Sequence, residues 1–104
     1  MPSDLLLAKT ASLFGAFASE GRLRAVVALA RSGPMSVTEL LAVCHLEQTA
    51  LSHQLRILRE AGLVVAERRG KQVIYALADE HVASIIDDGL RHAGEKPRRR
   101  KAKR

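Results

Sequence analysis

Past Gly62 the hydrophobic period of this chain switches from 3.6 to 2, and that switch limits its possible folds more than any other feature. Leu63-Val64-Val65-Ala66-Glu67-Arg68-Arg69 and Gln72-Val73-Ile74-Tyr75-Ala76-Leu77 read as two short strands about a Gly70-Lys71 turn, a hairpin signal. Upstream, apolar residues recur at helical spacing in four segments. Asp4 or Ser3 can cap the first, which runs through Leu5, Leu6, Leu13, Phe14 and Phe17. Ser19-Glu20-Gly21 interrupts it. A second helix then carries Leu23, Val26, Val27 and Ala30 on one face to about Arg31, where Ser32-Gly33-Pro34 stops it. Ser36-Val37-Thr38-Glu39 reads as a capping box opening a third helix, with Leu40, Leu41 and Cys44 inside. After a break at His45-Leu46, a fourth helix is expected from Gln48 to Ala61. A last amphipathic helix begins at Asp79, its expected N-cap, and runs to Glu95.

Two short helices joined by a tight turn and followed at once by a hairpin have the layout of a winged helix-turn-helix. The expected fold is therefore mainly α with a β-hairpin wing, in the order of four helices, two strands and one helix. Residues 1–95 are expected to form this domain and residues 96–104 a disordered basic tail. There is no internal repeat. At 104 residues the chain is near the size where a partner copy helps complete the core. No apolar run is long enough to span a bilayer and no leader is evident, which predicts a cytoplasmic protein with no membrane partner. Cys44 is the only cysteine and sits in an apolar helical context, which suits a buried packing residue.

The net charge of +6 has to be divided before it means anything. Seven of the seventeen basic residues lie in the last nine positions, which hold no acid, so residues 1–95 carry ten basic and eleven acidic groups. The tail is suited to binding polyanions without sequence preference. Any nucleic-acid binding by the body needs a local patch, and Arg56, Arg59, Arg68, Arg69 and Lys71 fall within sixteen residues.

The fourth helix divides by face. Leu51, Leu55 and Leu58 form an i, i+4, i+7 stripe for the core, while Gln48, Thr49, Ser52, His53, Arg56 and Arg59 lie opposite. Compact hydrogen-bonding groups near the helix N-terminus can reach base edges in a major groove, and arginines further along can contact phosphates. Arg68, Arg69 and Lys71 at the wing tip suit phosphates or the minor groove. A solvated helix face and hairpin tip would show similar residues, but the near-neutral body makes the local basic cluster harder to dismiss.

The last helix carries Asp79, His81, His92 and Glu95. His81 and His92 are eleven residues apart, so they point almost the same way yet stand about 16 Å apart along the axis. Metal–ligand distances are about 2 Å, so one chain cannot bring both histidines to one ion. Two copies crossing antiparallel about a two-fold axis near Ile86 and Asp87 can. Each end of the pair would then gather Asp79 and His81 from one chain with His92 and Glu95 from the other, two N/O sites suited to zinc and neighbouring divalent metals. The competing reading is that these are four ordinary solvated side chains flanking a dimer helix.

Thr49-Ala50-Leu51-Ser52-His53-Gln54-Leu55-Arg56-Ile57-Leu58-Arg59-Glu60-Ala61-Gly62-Leu63-Val64, followed by Arg68-Arg69-Gly70-Lys71-Gln72-Val73-Ile74-Tyr75-Ala76-Leu77, resembles the ArsR/SmtB family of bacterial repressors over roughly residues 10 to 95. The resemblance implies a homodimer built on the first and last helices, double-stranded DNA with an imperfect palindromic operator as partner, and an inducer that is often a metal ion. One type in the family binds metal through thiolates at the start of the third helix. Here Ser36 and Thr38 stand where the thiols would lie, which excludes that site, and a single cysteine excludes the dithiol sensors. The zinc-sensing type carries an Asp-x-His…His-x-x-Glu/His pattern on its last helix, and Asp79, His81, His92 and Glu95 match it. The resemblance thus implies a regulatory zinc between subunits, with cobalt or nickel as substitutes. It also implies that His92 contacts the end of the recognition helix, around Ala61-Gly62.

The expected function is a repressor that binds its operator without metal and leaves it with metal. Two alternatives keep the fold: a repressor with no metal response, and a structural or protein-interaction winged helix whose basic tail binds nucleic acid non-specifically. Catalysis is not expected, because nothing pairs a nucleophile with a base and no glycine loop cradles phosphate.

Overall fold

The computed structural model describes residues 1–95. The basic tail at 96–104, and the expectation that it is disordered, lie outside the described residues. The elements are α1 (Asp4–Phe17), α2 (Glu20–Ser32), β1 (Met35–Ser36), α3 (Val37–Cys44), α4 (Gln48–Glu60), β2 (Val64–Arg69), β3 (Gln72–Leu77) and α5 (Glu80–Gly94).

Side chains acting on the first turn set most of the helix starts. Ser3 rather than Asp4 caps α1, its Oγ accepting from the Leu6 N–H at 3.1 Å. Ser19 caps α2 in the same way. The capping box at α3 is complete: the Glu39 N–H donates to Ser36 Oγ at 3.2 Å, and the Ser36 N–H donates to Glu39 Oε1 at 2.9 Å. Only α4 begins without a side-chain cap, at Glu47. Its end is sharper. The Gly62 N–H donates to the Arg59 carbonyl, and Gly62 turns the chain at φ 76°, a conformation other residues rarely adopt.

The hairpin pairs β2 with β3 antiparallel, from Val64 opposite Leu77 to Arg69 opposite Gln72. A third strand precedes it in sequence. Met35 and Ser36 pair with Tyr75 and Ile74, giving the sheet order β1-β3-β2. The N-cap of a helix is extended by nature, and Ser36 at φ −77°, ψ 166° is no exception, so β1 is no more than the cap and the residue before it, Met35. They are too few to leave a periodic signature.

The core gathers one face of each helix. Val26 and Leu29 of α2, Leu40 and Cys44 of α3, Leu51, Leu55 and Leu58 of α4, and Val82 and Ile86 of α5 are all buried, with Leu63 and Val64 closing the sheet side. The stripe on α4 is wholly buried, as its spacing predicts. α1 behaves differently. It buries only Ala16 and Phe17 and leaves Leu5, Leu6, Leu7 and Phe14 46–66% exposed.

Candidate functional site

α4 owes its orientation to the turn before it. His45 adopts a left-handed conformation at φ 56°, ending α3, and three residues later α4 starts. Burial of Leu51, Leu55 and Leu58 then turns Gln48, Thr49, Ser52, His53, Arg56 and Arg59 outward, and all six are exposed. Thr49, Ser52, His53, Arg56 and Arg59 line a cleft of about 460 Å³ together with Tyr75 of β3. The recognition-type helix and β3 of the wing therefore share one concave face.

Arg68, Arg69 and Lys71 are exposed around the Gly70 turn, where φ is 62°. Arg69 donates to Glu67 at 3.1 Å, an exposed pair that adds little stability but partly neutralises that cation. Arg59 stands on the polar face among the arginines expected to contact phosphates, whereas Tyr75 was not expected beside it. An aromatic ring with a polar tip in the strand beside the helix-turn-helix was the available signal, and alternation alone had assigned it to the sheet.

α5 holds the second set of candidates. Asp79 is its N-cap, in extended conformation, and Asp79 Oδ1 accepts from the Val82 N–H at 3.2 Å. That leaves Oδ2 without a partner among the described residues. His81 lies in the first turn and His92 in the last, and Glu95 caps the end, its N–H donating to the His92 carbonyl at 3.3 Å. All four side chains are exposed, and none of His81, His92 and Glu95 makes a side-chain hydrogen bond among the described residues. Two neighbouring acids are taken up elsewhere, since Arg91 donates to Asp87 at 3.0 Å and to Asp88 at 3.3 Å. Within one chain no three His, Cys, Asp or Glu residues among those described group to hold a metal. The rise along α5 keeps its two ligand pairs apart, so the donor set suits a divalent ion only if a second chain completes it.

Cys44 is fully buried, and burial pushes its thiol up from the ordinary value while the Arg24 charge pulls the other way. It stays a packed thiol. Among the described residues, no helix is long and apolar enough to cross a membrane.

A family model described as "Bacterial regulatory protein, arsR family" matches residues 19–65, from the start of α2 to the first residues of the wing. The HTH-type transcriptional regulator NmtR of Mycobacterium tuberculosis is 44% identical over 86 residues, covering 83% of this chain and 71% of NmtR. The chain belongs to the ArsR family. The HTH-type transcriptional repressor SmtB of the same species is 39% identical over 94 residues, 90% of this chain and 69% of SmtB. Among solved structures, HlyU from Vibrio cholerae superimposes with a TM-score of 0.80 at 32% identity, covering 89% of this chain and all of HlyU. A homodimeric winged helix-turn-helix DNA-binding domain from Mycobacterium bovis gives a TM-score of 0.75 at 29% identity, over 92% of this chain and 97% of that one. This ArsR-family chain is a winged-helix, DNA-binding transcriptional repressor that works as a dimer, and it is not an enzyme.

Proposed function

We propose that this ArsR-family repressor is released from a palindromic operator when zinc, or a similar divalent ion such as cobalt or nickel, occupies sites shared between the two α5 helices of the cytoplasmic dimer. Each site takes Asp79 and His81 from one protomer and His92 and Glu95 from its partner. The observation that carries the reading is the placement of these four exposed donors at the two ends of α5, with Asp87 and Asp88 between them paired to Arg91.

On the DNA side, Gln48, Thr49, Ser52 and His53 read base edges, and Arg56 contacts the flanking phosphates. Arg68, Arg69 and Lys71 hold the wing to the backbone or minor groove. Glu67 competes for Arg69, so Arg68 and Lys71 supply most of the wing's attraction. The bound ion would supply a cross-link between the α5 helices of the two protomers. His92 then has a ring N–H to donate, as metal-bound histidines generally do. The carbonyls of Ala61 and Gly62 at the end of α4 accept no hydrogen bond among the described residues and are the natural acceptors. Such a contact would tie α5 to the recognition helix and favour a dimer whose two helices no longer suit successive major grooves. A coupling of about 1–3 kcal/mol, roughly five- to 150-fold in operator affinity, is typical of such linkage.

Fluorescence anisotropy on a palindromic fragment of the protein's own promoter, at fixed salt, with and without one zinc per chain, tests the reading. A fall in affinity of about tenfold or more supports it. Specific binding indifferent to zinc would leave a repressor without metal response. Binding lost altogether when residues 96–104 are deleted would leave the interaction-domain alternative. His92→Ala should keep operator affinity and lose release by zinc, and zinc release persisting in that variant would remove His92 from the site.

A further inference from the structure

One side chain joins three helices. The Arg22 Nε–H donates to the Ala16 carbonyl in the last turn of α1 at 2.6 Å, and a terminal guanidinium N–H donates to Gln54 Oε1 of α4 at 2.8 Å. Both bonds are partly buried. Every other side-chain hydrogen bond among the described residues links positions no more than four apart, so among these residues this is the one side-chain hydrogen bond that joins α4 to another helix. The Ala16 carbonyl is one of the four that the end of a helix leaves without an internal partner.

The surroundings hold this bridge in one geometry. Arg22 sits in the first turn of α2, where its own N–H donates to the Ser19 cap at 3.3 Å. Next to it Gly21 packs beside α4: a Cβ there would lie in ordinary contact, 3.7 Å from Gln54 Nε2 and 3.6 Å from Leu46, so Gln54 is flanked on this side by the start of α2. Gln54 follows His53, on the flank between the buried stripe and the exposed face, so a rotation of α4 about its axis changes the Arg22–Gln54 distance directly. The planar guanidinium fork reaches two acceptors at a set angle, which a lysine ammonium does not do.

We infer that Arg22 is a positioning residue for operator recognition, locking the rotation of α4 against the end of α1, the helix that leads to the dimer partner. The inference rests on α4 being the base-reading helix. Non-specific affinity depends on phosphate neutralisation and tolerates a helix a few degrees out, whereas base-edge hydrogen bonds do not. Loosening the bridge should therefore lower preference for the operator rather than DNA affinity in general.

The test is a double-variant cycle of Arg22→Met and Gln54→Leu in the full-length dimer. Affinity is measured for the promoter fragment and for an unrelated duplex of equal length at the same salt, with thermal melts alongside. Gln54→Leu changes no charge and leaves the Arg22–Ala16 bond, so it carries the test even if Arg22→Met fails to fold. The expected result is a loss of about tenfold in operator affinity for Gln54→Leu, in the range of a hydrogen bond to a charged group. Affinity for the unrelated duplex should stay within about twofold. The double variant should be no worse than the weaker single one, because both remove the same bridge. Operator preference intact in a folded Gln54→Leu protein, or losses that add, overturns the role of Arg22 alone. Wild-type protein with no preference for the operator overturns the base-reading assignment of α4 beneath it.

Discussion

Asp79 has two carboxylate oxygens and the fold uses one of them, for the N-cap of α5. If the other is a metal ligand, the two duties can be separated by substitution. Serine caps a helix about as well as aspartate but offers no carboxylate, so Asp79→Ser should melt within about 0.5 kcal/mol of wild type and lose tight zinc binding. Asp79→Ala should lose both, with about 1 kcal/mol of stability going with the cap. Calorimetric titration together with denaturant unfolding reads the two effects separately, and zinc bound by Asp79→Ser as tightly as by wild type strikes Asp79 from the ligand set. Ser36 carries a similar lesson. Its place in a Ser-x-x-Glu spacing made it readable as a cap, and the structure makes both bonds of the box. The same residue stands where a thiolate sensor needs cysteine, so chemistry and capping agree in excluding that site. Arg22 was not readable in this way, because nothing local in the sequence relates it to a glutamine thirty-two positions on.

At the scale of elements, what could be read from the residues was whatever repeats. α4 was readable because burial on one face forces a heptad-like leucine stripe, and the wing because its period of 2 begins at once after Gly62. β1 was not, since two residues have no period and their strand character comes from a partner distant in sequence, Ile74 and Tyr75. Tyr75 was placed on its strand but not at the cleft beside α4, since which neighbour lies across a cleft is a property of packing rather than of spacing. The weak point that remains is the start of α4. Glu47 has capping backbone geometry at φ −68°, ψ 156° but makes no side-chain cap bond, its chain being one methylene longer than that of aspartate. Glu47→Asp keeps the charge that favours a helix N-terminus and adds the missing bond. It should raise unfolding stability by about 0.5–1 kcal/mol while leaving operator affinity unchanged, as chemical denaturation and anisotropy would show. An unaltered or lowered denaturation midpoint would mean that Glu47 already stabilises α4 by its charge alone.

The whole molecule makes sense only as two copies. A fourteen-residue helix that buries two side chains and presents Leu5, Leu6, Leu7 and Phe14 to solvent leaves more apolar surface uncovered than an isolated monomer tolerates well. Leu90 on α5, 40% exposed, is a further part of it. The dimer that covers this surface is also what the proposed metal sites require, because one chain offers each ion only two of its four donors. Oligomeric state and zinc affinity should therefore fall together. In a protein carrying Leu6→Glu and Phe14→Glu, sedimentation should show monomers. Tight zinc binding should weaken by about a hundredfold or more, even though Asp79, His81, His92 and Glu95 are untouched and far from the substitutions in sequence, since two of four ligands are lost from every site. Far-ultraviolet circular dichroism should show that such monomers keep their helices, as the core of Leu40, Leu51, Leu55 and Leu58 lies wholly within one chain. Folded monomers that still take one zinc each at wild-type affinity would place the site inside a single chain, and the antiparallel pairing of the α5 helices would have to be abandoned.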